Sequence, residues 1–232
     1  MANQTTTTAV AADGPDKTDQ PSHVQPNHVQ PNPAPSLFAM FVKLENRSCL
    51  VVGAGSLAES KIPSLLEAGA RVGVVAPQAN ASVSGWALSG KITWKRRSFE
   101  PADLDGAFLV IAATGSSAVN EMVFREARGR GVLCNAVDDP ERCDFYYPAV
   151  VRRGALQFAI STGGFSPALA QRLRRELEEQ FGPEYAEWVA QLGRSRHEIF
   201  ARDLKPEDRR KLLHELASRE AFAATLAKEG LS

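Results

Sequence analysis

The chain has 232 residues, 44% of them apolar, enough for one large domain or two small ones with a buried core. Lys+Arg and Asp+Glu balance at 27 each, so no global field draws the protein to nucleic acid or to a membrane surface. No apolar run approaches the roughly 18 residues of a membrane span, and the polar N-terminus lacks a signal-peptide core, so a cytoplasmic location is expected.

Residues 1–36 are rich in Thr, Gln, Asn, Pro and Ala with little to bury, and are expected to form a disordered tail. His23 and His28 fall there in a tandem five-residue repeat, HVQPNHVQPN. From Leu37 the pattern turns regular. CLVV (49–52) is an apolar strand ending at glycine, LAESKIPSLLEAG (57–69) has helical apolar spacing, and RVGVVAP (71–77) is a second strand stopped by Pro77. SVSGWALSG reads as a short helix and KITWK (91–95) as a strand. AFLVIAAT (107–114) is a buried strand, SAVNEMVFREARGRG (117–131) an amphipathic helix and VLCNAV (132–137) another strand. Strands apolar on both faces, alternating with helices, specify a parallel sheet covered on each side: an α/β, Rossmann-like domain over residues 37–148. After Asp138 the rhythm breaks. YYPAVVRRGALQFAIST (146–162) holds two β-rich runs about Arg153-Gly154, a hairpin pattern, and SPALAQRLRRELEEQF (166–181) opens on Ser-Pro, a helix cap with proline at the first helical position. A small strand-plus-helix region over 149–182 and a helical region over 183–232, interrupted by Pro206, complete the expected organisation.

Gly53-x-Gly55-x-x-Ala58 lies between a strand and a helix, the context that gives the spacing meaning. The first glycine permits the tight turn, the second lets backbone approach a pyrophosphate, and the small third residue lets helix and strand pack closely. The helix start then offers free N–H groups to phosphate. A bare structural turn is the alternative. The acidic residue expected about 20 residues on, to bond a ribose hydroxyl, is missing. That stretch reads VVAPQ (74–78), and it holds no Arg or Lys for a 2′-phosphate either; Gln78 can bond a ribose hydroxyl, which favours NAD while leaving NADP open.

In an open parallel sheet, ligands sit beyond the carboxyl ends of the strands. Ala113-Thr114 follow one such strand, and NAVDDPERCDF (135–145) begins with Asn135 at the end of the next. Asp138 is the first ionisable residue there and faces the expected nicotinamide end; Asp139 is its equal on sequence grounds, and a solvated Asp-Asp-Pro turn is the alternative to both. The four histidines (His23, His28, His197, His214) leave residues 37–190 without one, so acid–base chemistry there falls to carboxylates, hydroxyls, Lys or Tyr, and no metal site is expected. Cys49, Cys134 and Cys143 share no metal or redox spacing, and no Tyr is followed by Lys four residues on. STGGFSP (161–167), with Thr162 and Ser166, resembles a backbone nest for an anion, and Arg152, Arg153, Arg172, Arg174 and Arg175 surround it in sequence. A flexible loop with ordinary caps is the competing view. Together these features point to a substrate with several carboxylates or phosphates.

LFAMFVKLENRSCLVVGAGSLAESKIPSLLEAGARVGVVAP, IAATGSSAVN, LCNAVDDP, FYYPAVVRRGAL and ISTGGFSPALAQRLR occur in the order found in siroheme-synthase dehydrogenase domains, and the chain resembles that family over about residues 37–200. The resemblance implies NAD-dependent oxidation of precorrin-2 to sirohydrochlorin, with ferrochelation by Fe2+ or Co2+ as a second activity. It also implies a homodimer joined through residues 149–182. Ser56-Leu57 and Pro77-Gln78 match the family's NAD contacts, and Gly53, Gly55, Ala58, Ala113 and Thr114 complete the expected cofactor site. Asp138 matches the carboxylate assigned to dehydrogenation; Thr162 matches a substrate-side hydroxyl, and Asn135, Arg152 and Ser166 complete the expected tetrapyrrole side. Ala54 stands where many members have a third glycine, and the tail over 1–36 lies outside the family pattern. The methyltransferase domain fused to some members is absent from this sequence, so synthesis of precorrin-2 is not expected of it. The rival readings are a dedicated tetrapyrrole chelatase and a non-catalytic NAD-sensing module.

Overall fold

The computed structural model describes residues 37–229; the tail expected over 1–36, with His23 and His28, lies outside the described residues. Five short strands, β1 (Ser48–Val52), β2 (Arg71–Val75), β3 (Thr93–Lys95), β4 (Leu109–Ala112) and β5 (Leu133–Ala136), pair in parallel in the order β3-β2-β1-β4-β5. Val51 lies opposite both Val74 of β2 and Ile111 of β4, which fixes the register of the three central strands.

Both faces of this sheet are apolar, and the alternation along each strand sorts the helices. Cys49, Val51, Val74 and Ile111 point to one face, where α1 (Ser56–Glu67) inserts Ala58, Ile62 and Leu65 and α2 (Ala81–Leu88) inserts Val83. Leu50, Val52, Val110, Ala112 and Cys134 point to the other, where α3 (Ser117–Gly129) inserts Val123 and Ala127. The chain therefore leaves β1 over one face and β4 over the opposite face. Between those two strands the carboxyl edge of the sheet opens into a crevice, the position where doubly wound sheets bind ligands.

That divergence depends on one glycine. Gly53 has φ +107, and a Cβ there would lie 2.7 Å from the carbonyl carbon of Ala113 at the end of β4. Gly55 differs: its φ of −92 is ordinary, and a Cβ would enter open space. Gly69, at φ +77, closes α1 two residues after its last helical position, and β2 ends at Val75 because Ala76–Gln78 turns away to wall the crevice.

Beyond β5, an antiparallel hairpin joins β6 (Ala149–Arg153) to β7 (Leu156–Ile160) through Gly154 at φ +56, where the sequence places the turn. It packs on α4 (Pro167–Gln180) and α5 (Glu184–Ala201), and α6 (Pro206–Leu216) and α7 (Arg219–Glu229) follow. Phe158 of β7, Phe181 after α4, Tyr185 and Trp188 of α5 and Phe222 of α7 form one aromatic stack with neighbouring ring centroids 4.5–5.6 Å apart. Among the described residues no helix is long and apolar enough to cross a membrane.

Gly53→Ala should destabilise the protein by about 2 kcal/mol or more, through the Ala113 clash and the forbidden φ. Gly55→Ala should cost about 1 kcal/mol or less. Denaturant unfolding of both variants checks this; equal losses would refute the division of roles.

Candidate functional site

The crevice between β1 and β4 is a cleft of about 540 Å3. Gly53, Gly55, Ser56 and Leu57 form its base, Pro77 and Gln78 one wall, and Ala113 and Thr114 the other, as the sequence places them. Ala58 is the exception among the expected cofactor residues. It is fully buried between α1 and the sheet and serves helix–strand packing, the duty of the small third residue of the turn.

The first turn of α1 has donors to spare. Asn80, Ser116 and Ser166 cap α2, α3 and α4 through side-chain oxygens, whereas Gly55 at the start of α1 has none to offer. Ser56 and Leu57 thus line the cleft at the positive end of the helix, where first-turn N–H groups lack intrahelical partners, beside a glycine whose missing Cβ leaves space for an approaching ligand. A pyrophosphate fits this donor set. The Thr114 hydroxyl is used within the wall: it donates to Asn120 Oδ1 at 2.7 Å and accepts from the Ser116 N–H at 3.2 Å. What it presents to the cleft is shape.

Asp138 follows β5 at the same edge of the sheet, where Val137 N–H still bonds Ala112 O at 3.0 Å. It does not line the cleft but stands one strand beyond the Ala113 wall, exposed. Its φ of +63 makes it one of two non-glycine residues in the left-handed region among those described. It has no ion pair among the described residues. The equivalence of Asp138 and Asp139 ends here, since Asp139 pairs with Arg142, which also binds Glu121 of α3. Asn135 is buried, and its amide donates to Phe145 O at 2.8 Å and to Cys143 Sγ at 3.3 Å, so its observed duty is to hold the 143–145 segment against β5. Burial pushes the Cys134 thiol up to about 12 and the Cys49 thiol up to about 11, and raises Cys143, so all three remain protonated near neutrality.

The tetrapyrrole side is less open to anions than the sequence implies. In the 161–166 loop, Gly163 N–H bonds Ser161 Oγ at 3.2 Å, Phe165 N–H bonds Thr162 O at 3.0 Å and Ser166 N–H bonds Thr162 Oγ1 at 3.1 Å. Ser166 Oγ in turn caps Leu169 N–H at 3.2 Å. These donors close the loop on itself and do not form the nest expected for an anion. The arginines disperse as well. Arg153 caps the carboxyl end of α4 through Phe181 O (2.7 Å) and Glu178 O (3.0 Å). Arg172 and Arg174 pair with Glu176 and Glu178 along α4, and Arg152 reaches Glu67 at 3.2 Å. Arg152 and Arg175 are exposed, but no cluster assembles.

A family model for NAD(P)-binding proteins matches residues 40–149, and one for the central part of sirohaem biosynthesis proteins matches residues 153–180. Siroheme synthase 1 of Aeromonas salmonicida is 39% identical over 189 residues, 82% of this chain and 40% of its own length. The siroheme synthase of Methylobacillus flagellatus is 41% identical over 171 residues, 74% of this chain and 37% of its own. The chain is similar to siroheme synthases over most of its own length. It spans about 40% of the length of these relatives. Among solved structures, the precorrin-2 dehydrogenase SirC superposes with a TM-score of 0.69 and 29% identity, over 79% of this chain and 91% of that one.

Two residues of the chain matter to the cleft and were not anticipated. The carboxylate of Glu59, in the first turn of α1, accepts from Asn80 Nδ2 at 2.5 Å and from Ser82 Oγ at 2.6 Å. With Asn80 N–H on Ala54 O at 3.0 Å, this binds the Ala76–Asn80 wall to the glycine turn. Asn120 does the same for the opposite wall, returning Nδ2 to Thr114 O at 3.2 Å. A polar residue one turn into each helix is the only trace of these contacts in the sequence, and it is indistinguishable there from a solvated one. Glu59→Ala should weaken NADH binding about three- to tenfold and cost about 1–2 kcal/mol of stability. Fluorescence titration beside chemical unfolding measures both, and unchanged NADH affinity would show that the wall needs no such tie.

Proposed function

We propose that the chain is an NAD-dependent precorrin-2 dehydrogenase that oxidises precorrin-2 to sirohydrochlorin in siroheme biosynthesis. One observation carries the reading. An uncapped glycine turn after β1, at the point where the sheet reverses its winding, shares the carboxyl edge with Asp138 two strands away, a carboxylate without an ion pair among the described residues, in a region that has no histidine. The likeness to SirC, a protein titled precorrin-2 dehydrogenase, over 79% of this chain and 91% of that one supports it.

When bound, NAD supplies the hydride acceptor. The chain supplies the rest. Ser56 and Leu57 N–H groups would hold the pyrophosphate, Pro77 and Gln78 would border the adenosine ribose, and the Ala113-Thr114 wall would border the nicotinamide end. Oxidation removes one hydride and one proton from the tetrapyrrole, so a single base completes the balance. Asp138 is that base: it is exposed, it makes no ion pair among the described residues, and it sits at the carboxyl edge. The left-handed backbone beneath it costs about 1 kcal/mol. Thr162, Ser166, Arg152 and Asn135 border the substrate in this reading, the exposed Arg152 by charge and the other three through the loops that they fasten.

The same free carboxylate supports a second activity of this site, insertion of Fe2+ or Co2+ into sirohydrochlorin. The metal ion is then a substrate, and Asp138 accepts a pyrrole proton as it enters. A homodimer and a cytoplasmic location belong to the proposal. Phe38, Met40 and Phe41 are exposed in the extended segment before β1, and the two-stranded β6–β7 hairpin has no further strand beside it among the described residues, so both offer surface to a second copy.

Asp138→Asn keeps a residue that tolerates the left-handed backbone, so it should fold normally and bind NADH within about twofold of wild type. NAD reduction by precorrin-2 under anaerobic conditions should fall about 100-fold or more. Turnover at the wild-type rate would remove Asp138 from the mechanism. Light scattering should give twice the chain mass, and a monomer at micromolar concentration would refute the dimer.

A further inference from the structure

The outer side of the cleft holds chemistry that the dehydrogenase reading leaves unused. Lys95, Arg96 and Arg97 are three consecutive cations at the end of β3. Asp103, its side chain only 1% exposed, takes two of them: Lys95 Nζ at 2.8 Å and Arg97 through Nη2 at 2.6 Å and Nη1 at 2.7 Å. Arg96 is left over. It pairs with no carboxylate among the described residues, and its guanidinium lies over the Trp94 ring at 4.9 Å from the centroid. Trp94 is fixed in turn, donating Nε1–H to Ala76 O at 3.0 Å, so the platform under Arg96 is fastened to the cleft wall itself.

Trp94 and Arg96 line a second cavity, of about 890 Å3, on the far side of Gln78. Gln78 lines both it and the dinucleotide cleft, so the two spaces meet where the adenosine ribose is expected. A protein that insists on NAD places a carboxylate there, to bond the ribose hydroxyls and repel a 2′-phosphate. From Val72 to Lys91 this chain has no acidic residue, and the nearest carboxylate on α1, Glu59, is turned to Asn80 and Ser82. The repulsive element is missing and an attractive one is present.

We infer that Arg96, stacked on Trp94 beside Gln78, is the specificity-determining residue for a 2′-phosphorylated dinucleotide, so that the chain binds NADP(H) as well as NAD(H). A guanidinium packed on an indole keeps its edge N–H donors free, and those donors match phosphate oxygens in a fork that lysine cannot reproduce. Stacking also holds the side chain in place before the ligand arrives, which lowers the ordering cost of binding. The inference rests on the dinucleotide assignment of the cleft and widens its cofactor range; it changes nothing in the role of Asp138.

The test is equilibrium binding of NADH and NADPH, followed by nicotinamide fluorescence at fixed ionic strength, with no tetrapyrrole present. Wild type should bind NADPH within about threefold of NADH. Arg96→Ala should weaken NADPH about tenfold or more while changing NADH less than about twofold. Arg96→Lys should recover only part of the loss. Because Arg96 is exposed, its variants should keep the wild-type melting temperature. Wild type that binds NADH but rejects NADPH, or an Arg96→Ala variant that loses both ligands equally, would overturn the inference and leave the dehydrogenase reading standing. Failure of folded wild type to bind either ligand would overturn both.

Discussion

The carbonyl of Ala113 occupies the space that a side chain on residue 53 would need, and the rest of the molecule is arranged around that crossing. Only a residue without Cβ, held at φ +107, lets β1 run close against β4 and then turn off over the opposite face of the sheet. The separation of α1 and α2 from α3, the crevice between β1 and β4 and the uncapped first turn of α1 are geometrical consequences. Ala58, Ile62 and Leu65 fix α1 once it has left in that direction, and Glu59 and Asn120 then tie the two walls of the crevice to their own helices.

Electrostatics divides the chain into scaffold and site. Cations near the sheet edge and on α4 are largely spent on internal partners: Arg97 and Lys95 on Asp103, Arg142 on Asp139 and Glu121, Arg153 on helix-terminal carbonyls. Burial opposes ionisation of Asp103, but the hydrogen bonds from Arg97 and Lys95 hold its carboxyl well below the usual carboxylate range. Against this background, unpaired charges are informative. Asp138 and Arg96 are such groups, and they stand on the sheet's carboxyl edge on opposite sides of the cleft, Asp138 beyond β5 and Arg96 beyond β3. In the proposed reading one handles a proton at the reacting end, the other an anion at the adenosine end.

The parallel sheet, the glycine turn and the hairpin turn at Gly154 were legible in the sequence because each rests on local chemistry: apolar strands, a missing Cβ, a two-residue reversal. The strand-end residues Gly53, Pro77, Gln78, Ala113 and Thr114 were legible for the same reason, since strand ends mark the ligand edge, whereas Ser98 and Phe99 line the cleft without having been named. What was not legible depended on partners distant in the chain. Asp138 and Asp139 are alike until Arg142, itself anchored by Glu121, claims one of them. Asn135 looked available for a ligand until Phe145 and Cys143 took its amide, and the STGGFSP loop looked like a nest until its hydroxyls closed on its own N–H groups. The arginines about that loop were close in sequence only.

The central claim is that the glycine turn holds the electron acceptor for a tetrapyrrole oxidised at the same edge of the sheet. Its most direct measurement is an anaerobic reaction of the protein with precorrin-2 and excess NAD, with NADH and sirohydrochlorin counted from their absorbance. One NADH formed for each sirohydrochlorin is the predicted result. Sirohydrochlorin formed without NADH, or no conversion by folded protein, would contradict it.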